Sequence, residues 1–327
     1  VILAIGTRLQ DFTTGSWTAF DPEARLISVN VGRFDAGKHL SLPVVGDAKL
    51  AIGFLERALG EFTAPAAWLE TAASERAAWS SYVRENVSPV TEQGSNRPMS
   101  YAQVIGAVNE LCEANDRVVT AAGGLPAEVT ANWQTKSVGS VDVEFGFSCM
   151  GYEIAGGWGA RMGQLETHPD NDTIVFVGDG SYLLLNSDIY SSVLSGKKLI
   201  IVVCDNGGFA VINKLQNNTG NESFNNLIEH CNLAVEPFAV NFEGHARAMG
   251  ATAETVHSIG DLKEAFDRAK AADRTYVISL KVDAYEGWTN EGHTWWECGT
   301  PEVSESEKVR TAHKDWEDGR KRQRVGV

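Results

Sequence analysis

Two strongly apolar segments in the middle of the chain dominate its pattern of hydrophobic and polar positions. Residues 173–177 read Thr-Ile-Val-Phe-Val, and residues 199–204 read Leu-Ile-Ile-Val-Val-Cys. Short apolar runs rich in β-branched residues are typical of strands buried on both faces of a parallel sheet. Residues 182–195, between them, predict one helix that ends at Gly196. The segments predict a βαβ unit, whose right-handed crossover places both strand ends at the same edge of a sheet.

The alternation of strands and helices continues on both sides of this unit. We predict strands at 1–5, 26–31, 43–47, 117–121, 141–145 and 276–282, and helices at 48–59, after the capping residue Ser100, after Gly151 and at 260–271. This alternation is typical of an α/β protein with a doubly wound, mainly parallel sheet. Residues 1–60 predict part of a second, Rossmann-like α/β domain, 61–98 a linker with a helix, 99–287 the ligand-binding domain, and 288–327 a C-terminal tail or lid.

Composition narrows the class of protein. The chain has 327 residues, of which 43% are hydrophobic and 22% charged, values typical of a globular protein with a sizeable core. Its net charge of −15 argues against a nucleic-acid partner. No apolar run approaches the roughly 20 residues of a membrane span, so we expect no membrane association and a cytoplasmic location. The five cysteines show no CxxC spacing, which predicts reduced thiols.

The first residues of the chain are informative about whether it is a whole protein or a fragment. The chain opens on Val1 inside a predicted strand, with neither an initiating Met nor a signal peptide. We therefore expect it to be a fragment or one piece of a cleaved protein.

Polar residues follow each of the two central apolar segments. Gly178-Asp179-Gly180 follows the first, and Asn206 lies about 27 positions after Asp179, at the end of the second. Carboxylate, amide and backbone carbonyl oxygens suit Mg²⁺ or Ca²⁺, and Mg²⁺ prefers to share its coordination sphere with phosphate oxygens. Gly180 lets a phosphate approach the backbone, and a helix that we expect to begin at Ser181 offers free N–H groups. The unit predicts a cradle for a metal-bridged diphosphate; the alternative is an ordinary βαβ unit with turn-forming residues.

The spacing of Gly178-Asp179-Gly180 and Asn206 resembles the thiamine-diphosphate motif. The whole chain is similar to thiamine-diphosphate-dependent enzymes of the acetolactate synthase superfamily. Residues 1–60 resemble the second half of their central domain, and residues 99–287 resemble their diphosphate- and magnesium-binding domain. Segments 147–157, 178–183, 295–296 and 301–304 resemble the trihydroxycyclohexane-1,2-dione hydrolases of myo-inositol catabolism in particular. Acetolactate synthases usually carry Gly-Leu-Pro-Ala-Ala where residues 153–157 here read Glu-Ile-Ala-Gly-Gly.

The resemblance implies which residues bind the cofactor and its metal. It implies that Mg²⁺ is ligated by Asp179, Asn206 and the backbone carbonyl of Gly208. It implies that the diphosphate is held by backbone groups of Gly123, Gly124, Leu125, Gly180 and Ser181. It further implies that the Ser148 carbonyl accepts a hydrogen bond from the cofactor's 4′-amino group, that Met150 holds its two rings bent, and that Phe209 forms a wall.

Several of these residues have a plainer interpretation. Met150 is also compatible with core packing, and Ser148 with an ordinary strand end. Glu153 is compatible with an acid or base, but a helix-start carboxylate favoured by the helix dipole is the preferred interpretation. His293 is compatible with substrate contact, whereas the adjacent 295–296 Trp pair is better explained by packing in a C-terminal lid or subunit interface. Residues 320–324, a basic run, are interpreted as a solvated tail.

The resemblance also implies an activity. It implies hydrolytic carbon–carbon ring opening of a cyclic diketone, trihydroxycyclohexane-1,2-dione, to 5-deoxyglucuronate, with thiamine diphosphate and Mg²⁺ and no FAD. It implies a homo-oligomer whose site is completed by a pyrimidine-binding domain carrying the activating Glu, which we expect outside this chain, so that the chain alone is inactive. The alternatives are acetolactate synthase or another 2-oxoacid lyase, and a non-catalytic fragment that retains only the binding fold.

Overall fold

The computed structural model describes residues 1–88, 98–233, 235–290 and 295–324. Its chain divides into two compact units. The first comprises Val1–Arg76, Leu215–Glu222 and Asn290–Val327, and the second comprises Ala77–Lys214 and Ser223–Thr289. Helix α4 (Ala66–Val87) contributes residues to both. The predicted loop of the linker, from Glu92 onward, falls mostly outside the described residues.

The first unit contains a three-stranded parallel sheet in the order β1-β2-β3. Its strands are β1 (Ile2–Ile5), β2 (Leu26–Asn30) and β3 (Leu42–Val45). Its helices are α1 (Asp11–Thr14), α2 (Arg33–Gly37), a 3₁₀ turn (Lys38–Leu40), α3 (Ala48–Leu59) and α13 (Glu307–Arg320). The three predicted strands and helix 48–59 are therefore confirmed, with small shifts at their ends.

The prediction of a solvated tail at residues 320–324 agrees with the exposed Arg320, Lys321 and Arg322 but is wrong for Gln323 and Arg324, which are half-buried. Arg320 ends α13, and the residues after it pack on the beginning of the chain. The backbone N–H of Arg324 donates to the Trp17 carbonyl at 2.9 Å, and its guanidinium donates to the Ala24 carbonyl at 2.5 Å. Gln323 donates to the Ser16 carbonyl at 3.1 Å. Arg324 thus uses its guanidinium as a hydrogen-bond donor to a backbone carbonyl, a role that charge pattern alone does not reveal.

The second unit contains a six-stranded parallel sheet in the order β5-β4-β6-β7-β9-β8. Its strands are β4 (Arg117–Thr120), β5 (Val141–Val143), β6 (Thr173–Gly178), β7 (Ile200–Asp205), β8 (Thr252–Val256) and β9 (Tyr276–Lys281). Its helices are α5 (Tyr101–Leu111), α6 (Gly124–Asn132), α7 (Tyr152–Thr167), α8 (Asp179–Leu184), α9 (Asp188–Leu194), α11 (Phe242–Ala248) and α12 (Ile259–Ala271). Helix α10 (Ala210–Asn218) begins in this unit, and its residues from Leu215 onward belong to the first unit.

Hydrophobic cores lie on both faces of this sheet. Alternate side chains of β6 and β7 point to opposite faces, so that Phe176 and Val202 join the core beneath α5 and α12, while Val177 and Val203 join the core beneath α7 and α11. All four are at most 1% exposed. This arrangement confirms the predicted doubly wound parallel sheet and explains why both strands are continuously apolar.

Helix α5 begins as its sequence predicts. The Ser100 hydroxyl accepts from the Gln103 N–H at 3.2 Å, and the Gln103 side chain accepts from the Ser100 N–H at 3.0 Å, which forms a capping box.

The single helix predicted over residues 182–195 is wrong. The structure has α8 and α9 there, separated by residues 185–187, and α8 begins at Asp179 rather than Ser181. The Asn186 amide donates to the Tyr182 carbonyl at 3.0 Å, which replaces the backbone donor that a continuous helix would supply. Because α8 has only 6 residues, its dipole contributes little to anion binding.

Two expectations from composition meet direct observations. Each of the five cysteines lies within the described ranges and carries a free thiol. Of the helices in the described ranges, none combines the length and apolar character that a bilayer crossing requires.

Candidate functional site

The site lies at the carboxyl ends of three neighbouring strands of the second unit. Strand β6 pairs with β4 on one side and with β7 on the other. The chain leaves β4 towards β5 and leaves β6 towards β7, so the strand order reverses between β4 and β6. Ligands of open α/β sheets bind at such switch points, beyond the carboxyl ends of the strands. The loops after β4, β6 and β7 are those in which the sequence predicts the diphosphate and metal residues.

Asp179, at the end of β6, is buried without a full set of partners. It is 5% exposed, and its Oδ1 atom has no hydrogen-bond partner among the described residues. Burial raises the pKa of Asp179, the charge of Asp205 raises it further, and backbone hydrogen bonds from Gly180, Asn206 and Gly208 partly oppose the rise. A bound cation is the interaction that would favour the ionised form of this carboxyl group.

Asn206, at the end of β7, has a fixed side-chain orientation. Its Oδ1 accepts from the Gly208 N–H at 3.1 Å, and its Nδ2 donates to the Tyr101 hydroxyl at 2.5 Å. Tyr101 is 3% exposed, and burial is the main cause that raises its pKa, so the hydroxyl stays protonated. These two contacts hold the amide oxygen on the side of the loop at residues 206–208. Tyr101 was missed in the sequence because, as the first residue of a capped helix, it resembles ordinary core.

The two loops after β6 and β7 are in contact. A Cβ atom added at Gly180 would lie 2.7 Å from the Phe209 ring, so only glycine leaves room for that ring. Gly208 has φ +147, and a Cβ there would lie 2.4 Å from the Asn226 carbonyl oxygen. Gly180 is therefore required by the close approach of these two loops, and Gly208 by its φ angle and by the approach of the backbone at Asn226.

The loop after β4 closes the third side. Gly123 has φ +100, a conformation that residues with a side chain rarely adopt, and an added Cβ would meet nothing within 4 Å. A Cβ at Gly124 would lie 2.4 Å from the Trp288 ring. The backbone of this loop thus faces open space at Gly123, whereas at Gly124 the Trp288 ring packs against it.

A single cavity in the second unit collects most of the predicted site residues. Its lining includes Gly123, Gly124, Leu125, Met150, Asp179, Gly180, Ser181, Asn206, Gly208 and Phe209. It also includes Gly178 of the Gly178-Asp179-Gly180 motif and four residues that the sequence did not single out, namely Tyr101, Ala122, Ala210 and Val211. Met150 is 38% exposed, so it is not a core residue, contrary to the plainer interpretation.

Ser148 is absent from that cavity's described lining. It lies in an exposed loop with φ +55, a left-handed conformation that is uncommon for serine. The Glu144 carboxylate accepts from the Phe147 N–H at 2.9 Å and from the Cys149 N–H at 2.7 Å, on either side of Ser148. These hydrogen bonds are the largest causes that lower the pKa of Glu144. The loop conformation is therefore set by a carboxylate that the sequence analysis did not consider.

Glu153 lies in the first turn of α7, as the preferred sequence interpretation requires. It is, however, 1% exposed rather than facing solvent, and it accepts hydrogen bonds from Gly151 and Ser181. The interpretation as a helix-start carboxylate favoured by the dipole therefore agrees with its position, and the structure adds its burial and its hydrogen-bond donors.

The residues present fit a magnesium ion held with a diphosphate. No group of three or more His, Cys, Asp or Glu side chains suited to a metal occurs in the described part of the chain. A site made of one carboxylate, one amide oxygen and backbone carbonyls leaves coordination positions for phosphate oxygens, which is how Mg²⁺ is usually bound with nucleotides and diphosphates. The buried Oδ1 of Asp179, which has no hydrogen-bond partner among the described residues, is the atom that would supply the charged ligand.

The predicted Trp pair belongs to the first unit. Trp296 stacks on Phe12 with ring centroids 5.2 Å apart, and its indole N–H donates to Asp11. The Trp295 ring packs on Gly319 of α13, where no side chain would fit. The pair thus packs the C-terminal helix and the N-terminal residues of its own unit. His293 lies outside the described residues.

Two segments of the chain match known domain families. Residues 121–280 match the thiamine pyrophosphate enzyme, C-terminal TPP binding domain. Residues 1–55 match the thiamine pyrophosphate enzyme, central domain. Thiamine pyrophosphate is the same compound as thiamine diphosphate, so both matches agree with the resemblance seen in the sequence.

Curated relatives carry the name 3D-(3,5/4)-trihydroxycyclohexane-1,2-dione hydrolase. The one from Bacillus licheniformis is 33% identical over 334 residues, which cover 96% of this chain and 51% of that protein. The one from Geobacillus thermodenitrificans is 30% identical over 345 residues, covering 98% and 53% respectively. The chain therefore spans about half the length of the curated relatives that it matches.

A solved structure shares the fold. The thiamine diphosphate-dependent 4-hydroxybenzoylformate decarboxylase of Rhodococcus jostii RHA1 aligns with a TM-score of 0.62 at 16% identity, covering 82% of this chain and 46% of that one. Residues 1–55 and 121–280 of this chain both match domains of thiamine pyrophosphate enzymes, and the Bacillus licheniformis relative aligns with 96% of the chain. The chain therefore belongs to the thiamine pyrophosphate enzyme family.

Proposed function

We propose that this chain binds thiamine diphosphate through Mg²⁺ and forms part of an enzyme that hydrolytically opens the ring of trihydroxycyclohexane-1,2-dione to give 5-deoxyglucuronate. The observation that carries the cofactor proposal is the buried Asp179 Oδ1 atom, which lacks a partner among the described residues at the edge where three glycine-rich loops meet. The names of the curated relatives support the reaction.

The proposed roles follow the positions of the residues. Asp179, Asn206 and the Gly208 carbonyl would ligate Mg²⁺. Backbone groups of the loops at 123–125 and 180–181 would hold the diphosphate. When bound, thiamine diphosphate supplies an electron sink for cleaving a carbon–carbon bond beside a carbonyl.

The residues around the rings have separate proposed roles. Met150 lines the cavity and would hold the rings bent, and Phe209, packed on Gly180, would form a wall. Ser148 would present its carbonyl to the 4′-amino group from the loop that Glu144 orders. The domain ranges 1–60, 61–98, 99–287 and 288–327, a homo-oligomeric assembly and a cytoplasmic location are part of the same proposal.

Titration calorimetry of the 327-residue chain with thiamine diphosphate tests the cofactor proposal. We expect heat of binding with Mg²⁺ and its loss with EDTA. Absence of any binding in the presence of Mg²⁺ would overturn it.

The reaction is tested on the gene product in its natural length. We expect conversion of the cyclic diketone to an open-chain acid, followed by NMR, and no condensation of pyruvate. Pyruvate condensation without ring opening would instead favour an acetolactate synthase, and neither reaction would favour a binding fold without catalysis.

A further inference from the structure

Glu153 connects two of the loops that line the candidate site. Its Oε2 accepts from the Gly151 N–H at 2.9 Å, and its Oε1 accepts from the Ser181 hydroxyl at 2.7 Å. The Ser181 Oγ in turn accepts from the Gly151 N–H at 2.8 Å. The carboxylate therefore ties the loop before α7, which carries Met150, to the β6–α8 turn, which carries Asp179.

The same carboxylate reaches the third loop. Burial raises the pKa of Glu153, and hydrogen bonds from Ser181 and from the backbone of Glu153 itself, Gly151 and Ala122 oppose this rise. Ala122 directly precedes Gly123, at the end of β4. Hydrogen bonds thus join two segments of the chain on one side chain that is 1% exposed, and the backbone of the third segment favours the ionised form of that side chain.

Neutral groups supply all of these hydrogen bonds. A carboxylate is a suitable hub because it has about four lone-pair positions and is an acceptor only, so several N–H and O–H donors can converge on it. The Ser181 hydroxyl is used towards the protein interior. What Ser181 can offer to an anion is therefore its backbone, which agrees with its proposed role.

We propose that Glu153 is a positioning residue: it fixes the relative placement of the loops at 121–123, 150–151 and 179–181 and thereby shapes the diphosphate cradle without touching the diphosphate. This inference rests on the proposed function for its ligand, but the link between the loops exists in the protein by itself. If Glu153 acted only through its charge, the opposite result would be expected. Removing a buried negative charge beside an anion site should strengthen anion binding.

The test compares Glu153→Gln with a matched control, Asp116→Asn. Asp116 is also a buried carboxylate of the second unit, 2% exposed, but it lies before β4, at the other end of the strands. Calorimetry measures the affinity for thiamine diphosphate with Mg²⁺, and amide hydrogen exchange measures protection at residues 121–123 and 150–152 in the protein without cofactor. Thermal unfolding reports stability for each variant.

We expect Glu153→Gln to weaken cofactor affinity about 10-fold or more, in the range found when residues behind a ligand shell are changed. We expect faster amide exchange at Gly151 and Ala122 in the same variant. The folded Asp116→Asn protein should keep wild-type affinity and wild-type exchange in these loops even where it is less stable. Equal or tighter cofactor binding by Glu153→Gln would overturn the proposal.

Ser181→Ala serves as the second variant, because it removes the link to the β6–α8 turn while Glu153 keeps its backbone donors. It should also weaken affinity, and the two changes combined should cost less than the sum of their separate effects, since they break one connected unit. Full additivity would contradict the proposal. If the wild-type protein binds no thiamine diphosphate, the proposed function fails. In that case, unchanged amide exchange in Glu153→Gln would also refute the connection between the loops through Glu153, whereas faster exchange would support that connection.

Discussion

Buried carboxylates have different partners at the two ends of the six-stranded sheet. At the amino ends of the strands, Asp116 and Asp172 are paired with lysines. Lys270 Nζ lies 3.3 Å from Asp116 and 3.9 Å from Asp172, and Lys198 Nζ lies 3.0 Å from Asp172. Burial would lower the pKa of Lys270, but these carboxylates outweigh it and raise the pKa.

At the carboxyl ends, cations are scarce. Asp205 is paired with Lys281 at 2.5 Å. Glu153 instead accepts from a backbone N–H and a hydroxyl group, Asp179 keeps a buried oxygen without a hydrogen-bond partner among the described residues, and burial raises the pKa of both carboxyl groups. Glu128, 4% exposed, likewise accepts from Thr289 and Asn132, and burial raises its pKa.

The difference separates an edge whose carboxylates are paired from the edge at which we propose that the cofactor binds. Removing one partner of a buried ion pair destabilises a protein strongly, so the paired groups at the amino ends maintain the fold. A buried carboxylate without a cation costs stability, and it is retained where a ligand compensates for it. Stability and ligand binding should therefore respond to different carboxylates of one sheet.

The largest expected effect concerns Asp179. Replacement by Ala should lower Mg²⁺-dependent affinity for thiamine diphosphate by about 1,000-fold, equivalent to about 4 kcal/mol, because it removes the charged ligand of the proposed set. The protein without cofactor should become no less stable. Calorimetry and thermal unfolding measure the two quantities, and unchanged affinity would show that this edge is not a metal site.

The control for that comparison is Asp116→Asn at the opposite edge. It should lower the free energy of unfolding by about 3 kcal/mol, since Lys270 loses a buried partner and two backbone donors lose part of their acceptor. Denaturant unfolding measures the loss. A large fall in cofactor affinity in the folded variant would remove the distinction between the edges.

The pH dependence of stability provides a third test. The pKa of Asp179 is raised in the folded protein above its value of 3.8 in an unfolded chain. The folded state therefore binds this proton more tightly, and the contribution to stability that is present below pH 4 is lost as pH rises towards the folded pKa of about 7. Relative to Asp179→Asn, the wild type should lose up to about 1.4 kcal/mol per pH unit in this window. Parallel pH profiles of the two proteins would contradict the raised pKa.

The smallest effect concerns Tyr101, whose hydroxyl orients the Asn206 amide. Tyr101→Phe removes this acceptor and keeps the ring that packs on Trp288. We expect Mg²⁺ to bind about 10-fold more weakly in the presence of thiamine diphosphate, with little change in stability. If affinity is unchanged, the Gly208 N–H alone is enough to orient the amide.

Much of this protein follows from its sequence alone. Continuous apolar runs at 173–177 and 199–204 can only be buried on both faces, so the parallel sheet was predictable. The polar residues at the ends of those runs had to lie at one edge, because crossovers in parallel sheets are right-handed. Ser100 marked the start of its helix, because a capping box uses residues close in sequence.

What the sequence missed depends in one case on a local side-chain hydrogen bond and in the others on contacts between distant residues. The helix expected over 182–195 is divided where the Asn186 side chain donates a hydrogen bond to the Tyr182 carbonyl. Helix propensity does not predict whether such a side chain or the backbone N–H takes that carbonyl. The basic run at 320–324 was placed by carbonyls about 300 positions earlier. Strand β8 has exposed polar positions and pairs only with β9, so its apolar signal is weak.

Glu153 shows the limit most clearly. Its sequence position, at the start of a helix, correctly indicated a carboxylate favoured there. Its burial and its donors come from Ala122, Gly151 and Ser181, and two of these three lie about 30 positions away along the chain. The sequence thus determined which residue types end each strand, because local pattern fixes strands and turns. Only the tertiary structure decided which carboxylates find a cation and which remain for a ligand, because charge pairing depends on distances that folding alone creates.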